Sequence, residues 1–380
     1  MMKRVSAIVV PGLLLGQLWA GEKTILVEAV NTLPRMRASE TITVKLSDVQ
    51  RLIGEVNPDR LMVQEAASSN DVVSQIIDDI LIFQSDFAPR ETKRFVIVNK
   101  KRGGEAASRV DGRFVLPRED YAWENDRIAF RVYGPALAAD VNNGIDVWVK
   151  RVRYPIVAKW YAESAAAGKD TYHEDRGEGA DFFSVGTTLG AGSSGIWYDG
   201  RLWQPGVFTS YRTIANGPIR VVFELKYDGW NIDGKSFSET KRISLDAGQN
   251  FNRIDVTFSN LEFANSVTVA VGLVKRKGTH FEKHEEECWM TLWGPTNDNP
   301  SNGELGIGAL AGGRACMAFV EDDKHFMMLT RIPRTAKLTY YAGAGWTRSG
   351  DVSSEQEWIE HLRDFRLRVL NPLQVRLQAH

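Results

Sequence analysis

Ten consecutive residues hold most of the proton-transfer groups of this chain: Tyr172-His173-Glu174-Asp175-Arg176-Gly177-Glu178-Gly179-Ala180-Asp181. An imidazole, a phenol, a guanidinium and four carboxylates alternate there with turn-forming glycines. Because burying unpaired charge is costly, such a segment is either a solvated loop or a place where charges converge on a ligand. Two enzymatic readings follow. On a uronide, a base removes the C5 proton beside the carboxylate and an acid assists the departing O4; His173 serves as base and Tyr172 as acid, with Arg212 or Arg176 neutralising the carboxylate. On a glycoside, two of the carboxylates, with Glu178 and Asp181 as candidates, act as acid and as nucleophile or base, their separation fixing the stereochemistry. The plain alternative is a wet charged loop in which His173 is merely hydrogen-bonded. Tyr172 and His173 are neighbours, so both reach one substrate only if the backbone turns there.

Tryptophan is abundant: ten of eleven fall after residue 118. An indole face matches the apolar face of a pyranose, so Trp197, Trp203 and Trp346, which sit in turn-rich surroundings, read as a stacking surface. Trp123 and Arg127 complete the candidate substrate-binding set. Most other Trp residues read as fillers of a large β core. Gly190-Ala191-Gly192-Ser193-Ser194-Gly195 has the letters of a dinucleotide fingerprint, but Ile196-Trp197-Tyr198 after it is strand-like, where the motif needs a helix opening on the phosphates. A turn is expected there.

The elements that must position these groups are strands. Runs such as Ile25-Leu26-Val27-Glu28-Ala29-Val30 and Thr41-Ile42-Thr43-Val44-Lys45-Leu46 are β-branched and bounded by turn residues. Residues 71–83 are ambiguous between helix and two strands, and strands are favoured. Residues 100–120 read as a linker, which sets a boundary near residue 118. The expectation is an all-β chain: a small β-sandwich over 21–118 and a large one, with the candidate catalytic machinery, over 119–380. Only residues 354–368 read as an amphipathic helix, capped by Ser353 or Ser354.

Residues 1–20, with Lys3 and Arg4 ahead of an uncharged stretch ending at Ala20, read as a secretory signal peptide, which predicts a periplasmic or secreted protein and no membrane contact after cleavage. Its removal leaves 45 Lys and Arg against 48 Asp and Glu, a balance that gives no footprint for nucleic acid. The partner is then an oligo- or polysaccharide. Cys288 and Cys316 are the only cysteines, consistent with either free thiols or one bridge in an exported chain. His280, His284 and Cys288, spaced by four, raise a metal site, but Lys275, Arg276, Lys277 and Lys283 around them would repel a cation. No cofactor is expected, and a divalent cation has no support in the spacing.

Four runs together resemble the DUF4861 family of exported bacterial proteins: Trp123-Glu124-Asn125-Asp126-Arg127-Ile128-Ala129-Phe130-Arg131-Val132-Tyr133-Gly134-Pro135, Gly144-Ile145-Asp146-Val147-Trp148, the 172–181 segment, and Val185-Gly186-Thr187-Thr188-Leu189-Gly190-Ala191-Gly192. The tail over 341–346 and 358–372 extends the similarity. The resemblance implies a galactose-mutarotase-like or polysaccharide-lyase-like β-sandwich behind a small β domain, in pectin or uronate utilisation. It also marks a departure. Relatives continue an acidic run after residues 74–79 that can hold Ca²⁺, whereas Ile80-Leu81-Ile82-Phe83 follows here, leaving Asp78, Asp79 and Asp86 too few for such a site. The favoured function is cleavage of uronic-acid-containing oligosaccharides by β-elimination, with hydrolysis, noncatalytic glycan binding and a sugar-epimerase-like activity as alternatives.

Overall fold

The computed structural model describes residues 24–380 except 101–103, 105, 262, 263 and 298. The signal-peptide expectation therefore lies outside the described residues. Alternation is the organising signal. In Ile25–Val30 the side chains of Ile25, Val27 and Ala29 are buried while their neighbours are only half covered. This strand sits between Gln374–Ala379 and Thr92–Asn99 in a five-stranded antiparallel sheet. A three-stranded sheet of Arg37–Lys45, Ile80–Phe87 and Ser74–Ile77 covers it, and helix α1 (Leu46–Ile53) closes the side through Leu46 and Val49. Residues 71–83 are thus strands, as favoured, and Asp78 and Asp79 form the two-residue turn of a hairpin. Asp78 pairs with Arg242.

The large sandwich sets an eight-stranded antiparallel sheet against a longer layer. That layer is two five-stranded sheets joined by a parallel bridge between Ile145 and Gly190. Gly190 has φ +61, and a Cβ there would lie 2.2 Å from the carbonyl oxygen of Ile145, so the joint needs glycine. The core between the layers contains Tyr121, Trp123, Phe130, Phe223, Ile254 and Tyr340. The glycine-rich run falls in a bent strand, Ala191–Tyr198, with no helix after it.

Three elements cover the outer faces. The small sandwich packs Ile77 and Ile82 against Ile219 and Val222 of the eight-stranded sheet, and Gln75 accepts hydrogen bonds from the N–H groups of Ile219 and Arg220. Helix α3 (Glu355–Leu370) is the expected helix: Ser354 accepts from the N–H of Glu357, and Glu357 accepts from that of Ser353. Its Trp358 lies on a glycine stripe, since a Cβ on Gly306 would be 2.6 Å from the indole and one on Gly345 2.8 Å. Helix α2 (Val157–Ala167), like α1 not expected from the sequence, covers the sheet that carries the candidate site.

Two features depart from the 118 boundary. Val110–Val115 lies inside the supposed linker yet pairs with Asp120–Asn125, so the first ladder of the large sandwich spans that boundary. Gln374–Ala379 returns to complete the first sheet.

Candidate functional site

The five-stranded sheet ordered Gly179–Asp181, Asp146–Lys150, Ile128–Val132, Asp120–Asn125, Val110–Val115 presents its second face to α2. Period-two alternation sends Tyr121, Trp123, Phe130 and Val147 into the sandwich core. It sends Asp120, Ala122, Glu124, Ala129, Arg131, Asp146, Trp148, Lys150 and Asp181 to the other side. The register sets Arg131 opposite Asp146, and Trp148 opposite Asp181. Small residues at Ala122 and Ala129 leave room for Trp148, Trp160 and Tyr161. The face therefore buries charge at both ends, with aromatic packing between.

At one end Arg131, 4% exposed, meets three carboxylates. Its Nη2 lies 2.7 Å from Asp146 Oδ2 and 2.8 Å from Asp181 Oδ2, and its Nη1 lies 3.6 Å from Asp120 Oδ2. Tyr133 and Trp148 donate to Asp146 Oδ2 at 3.1 Å each, and Tyr161 donates to Asp120 at 3.1 Å. The guanidinium lies over the rings of Tyr133 and Trp148. One cation cannot balance three buried anions. Burial and the neighbouring Asp146 push Asp181 well above the usual carboxylate range, against the pull of Arg131. Burial raises Asp120 to about 6. Among the described residues, the Oδ1 atom of each of these two acids has no hydrogen-bond partner.

His173 lies at the surface end of this group, its side chain 55% exposed. Its Nδ1 is 2.9 Å from the carbonyl oxygen of Asp181. A carbonyl only accepts, so Nδ1 carries the proton and the neutral ring keeps its lone pair on Nε2. Nε2 stands 3.9 Å from Asp170 Oδ2, and the other oxygen of Asp170 pairs with Arg118. Tyr172 points inward: it is 3% exposed, stacks on Trp148 at 4.5 Å, and its hydroxyl is 3.5 Å from Arg131 Nη1. Burial pushes its phenol up to about 12. Of the two tyrosines on Arg131, Tyr133 is the half-buried one.

The other expected residues do not converge here. Arg212 lies on the edge strand Ser210–Asn216 and pairs with Glu224. Glu178 pairs with Lys159 of α2. Trp123 and Trp346 are each 1% exposed, their indole N–H groups donating to Asn252 and to the carbonyl of Asn302, so neither offers a free face. Trp197 and Trp203 belong to one hairpin, but their pairing with Leu202 and Ile196 puts them on opposite sides of it, so they make no common platform. Arg127 pairs with Asp351. Exposed tyrosines lie elsewhere, at Tyr154, Tyr198 and Tyr211, the last 44% exposed and stacked on Phe114 at 4.5 Å. Cys288 and Cys316 form a disulfide, and His280 pairs with Glu355, so the spaced-by-four trio is dispersed. Among the described residues no three His, Cys, Asp or Glu gather as metal ligands, and no helix is long and apolar enough to cross a membrane.

The residues missed from sequence are Asp120, Arg131, Asp146, Tyr133 and Arg118. A signal was present: charged residues sit on the same side of Asp120–Asn125 (Asp120 and Glu124), Ile128–Val132 (Arg131) and Asp146–Lys150 (Asp146 and Lys150), strands otherwise apolar enough for a core.

A solved structure of a protein in glycosyl hydrolase family 38 from Enterococcus faecalis has a similar fold, with a TM-score of 0.51 at 9% identity over 95% of this chain. The chain spans 48% of that structure's length, and the likeness is one of fold. An uncharacterized protein P7 from Formosa agariphila is 32% identical over 380 residues, covering 93% of each chain. Residues 30–375 match the domain of unknown function DUF4861. On that match and that relative, the chain belongs to the DUF4861 family.

Proposed function

We propose that this protein is an exported carbohydrate-active enzyme that cleaves uronic-acid-containing oligosaccharides by β-elimination at His173. The observation that carries the reading is the 2.9 Å contact of His173 Nδ1 with the carbonyl oxygen of Asp181, which favours the proton on Nδ1 and leaves Nε2 at the exposed edge. His173 Nε2 takes the C5 proton, the C4–C5 double bond forms, and the C4–O4 bond breaks. Arg118, beside His173 through Asp170, neutralises the substrate carboxylate in the role first given to Arg212. Tyr133, half-buried where Tyr172 is buried, is the more accessible phenol, and it protonates O4 by turning its hydroxyl from Asp146 to the substrate. Its hydroxyl is 2.9 Å from Arg131 Nη2, which is 2.8 Å from Asp181 Oδ2, itself 3.6 Å from His173 Nδ1. Phenol and imidazole are thus linked through Arg131 and Asp181, and Tyr133 stays protonated because burial and Asp146 push it up. Tyr211 on Phe114 supplies a ring for a sugar face. The Cys288–Cys316 bridge fits an oxidising compartment.

Hydrolysis has one feature in its favour, the burial that pushes Asp181 well above the usual carboxylate range, but that side chain is 2% exposed and stands behind His173. Incubation with pectic, rhamnogalacturonan and glucuronan oligosaccharides, following reducing ends and the ultraviolet absorbance of an unsaturated uronide, separates the readings. Both signals rise in the expected result, and His173→Ala, still folded by circular dichroism, loses them. Reducing ends without absorbance would move the chemistry to the carboxylates. Binding without either would leave a glycan-binding protein.

A further inference from the structure

At the opposite end of the site's sheet, four arginines surround two carboxylates. Arg127 follows the turn after Asp120–Asn125, Arg151 and Arg153 follow Asp146–Lys150, and Arg348 follows Leu338–Trp346. Asp351 accepts from Arg127 at 2.8 Å and from Arg153 at 2.9 Å. Asp175 lies 3.4 Å from Arg151 and 3.6 Å from Arg348. The two groups interleave, since Arg151 and Arg153 share one turn and Arg348 and Asp351 another.

The geometry is asymmetric. Both carboxylates are 5% exposed, whereas the arginine side chains are 26% to 45% exposed. No other carboxylate pairs with these arginines among the described residues. One guanidinium satisfies one carboxylate, so the second on each acid adds repulsion and little pairing energy. The acids hold the arginines in place, and the surplus of two positive charges, with its unused N–H groups, faces outward. Burial, with Arg368 and Arg127 nearby, pushes His361 down to about 4.

The patch is connected to the site. Asp175 belongs to the loop that carries His173, with its Oδ1 accepting from the N–H groups of Gly177 and Gly179. Arg127 precedes Arg131 by four residues along one strand, about 13 Å at the usual rise of ~3.3 Å per residue. An oligosaccharide of a few residues covers that span.

We propose that Arg127, Arg151, Arg153 and Arg348 form a subsite for an oxyanion on a glycan residue remote from the bond that is cleaved. Resting on the function proposed above, this makes the enzyme a reader of acidic oligomers, with carboxylate and sulfate ester as the two chemistries a guanidinium fork accepts. The test is titration calorimetry of His173→Ala protein, which holds substrate uncleaved, with an unsulfated oligogalacturonide, a sulfated neutral oligosaccharide and an uncharged oligosaccharide. The same titrations are run with Arg153→Gln and Arg348→Gln added, singly, and melting curves confirm that each variant is folded. Each added substitution weakens the acidic oligomer about tenfold, the worth of one charge-assisted contact, and leaves the uncharged one unaffected. The oligomer that responds identifies the anion. Unchanged affinity in both variants, or no binding of any acidic oligomer, overturns the subsite. If nothing on the glycan panel is cleaved, the function proposed above falls, yet these titrations still decide the subsite.

Discussion

Asp120 shows how a single residue reports on the site. Its folded-state pKa, about 6, stands above its ordinary value of 3.8, with burial the main cause. A raised acid binds its proton more tightly folded than unfolded, so its contribution to stability is greatest below pH ~4 and falls as pH rises toward ~6. The penalty above that window is on the order of 3 kcal/mol, a pKa difference converted at ~1.4 kcal/mol per unit. Asp120→Asn, which keeps an acceptor for Tyr161, is expected to melt above the parent at pH 7 and level with it at pH 4; a gap that widened on acidification would refute the sign. Parts of this site were legible. His173 and Asp181 fell in one polar segment, where clustering of types was informative. Arg131, Asp120 and Asp146 were hidden because a charged residue at period two in a strand looks like a solvent-facing position. What distinguishes it is a covering helix, here α2, which arrives from elsewhere in the chain.

Helix α2 and the sheet beneath it are joined through a buried ion pair. Glu124 Oε1 accepts from the N–H groups of Ile156 and Val157 at 2.7 Å each, doing from a strand what an N-cap side chain does locally. Its other oxygen pairs with Lys150, which also donates to the carbonyls of Asn125 and Tyr154. Removing Glu124 uncaps the helix and strands a buried ammonium. Glu124→Ala is expected to cost about 3–5 kcal/mol in urea unfolding, the range for breaking a buried pair, and Glu124→Gln less, because it still caps. Equal losses would mean that the charge alone matters. The contrast with α3 explains which elements could be read. Its Ser354 and Glu357 are neighbours in sequence, so the cap was visible, whereas α2 begins at Ile156 with no side-chain cap of its own and α1 begins at Lys45 with none. Alternating β-branched runs on both sides drew the reading toward strand.

The whole molecule is fastened by long-range contacts. Cys288–Cys316 links positions 28 apart beside the eight-stranded sheet, and a loop of that length stabilises by about 3 kcal/mol in the chain-entropy picture. A Cys288→Ser/Cys316→Ser protein is expected to unfold at correspondingly lower urea; an unchanged midpoint would assign the holding role to the surrounding core. The all-β sandwich architecture was legible because alternation is local. The return of Gln374–Ala379 was not, since a strand carries no mark of its partner. That return has a consequence in time. Ile25–Val30 emerges early in a growing chain but gains one of its two neighbours from Gln374–Ala379, with Thr24 and His380 bonded to each other beside that pair. Until Gln374–Ala379 has been made, one border of the first sheet stays unzipped, an open template on which nascent chains can stitch together. The exposure lasts only for the interval between the making of Ile25–Val30 and that of Gln374–Ala379.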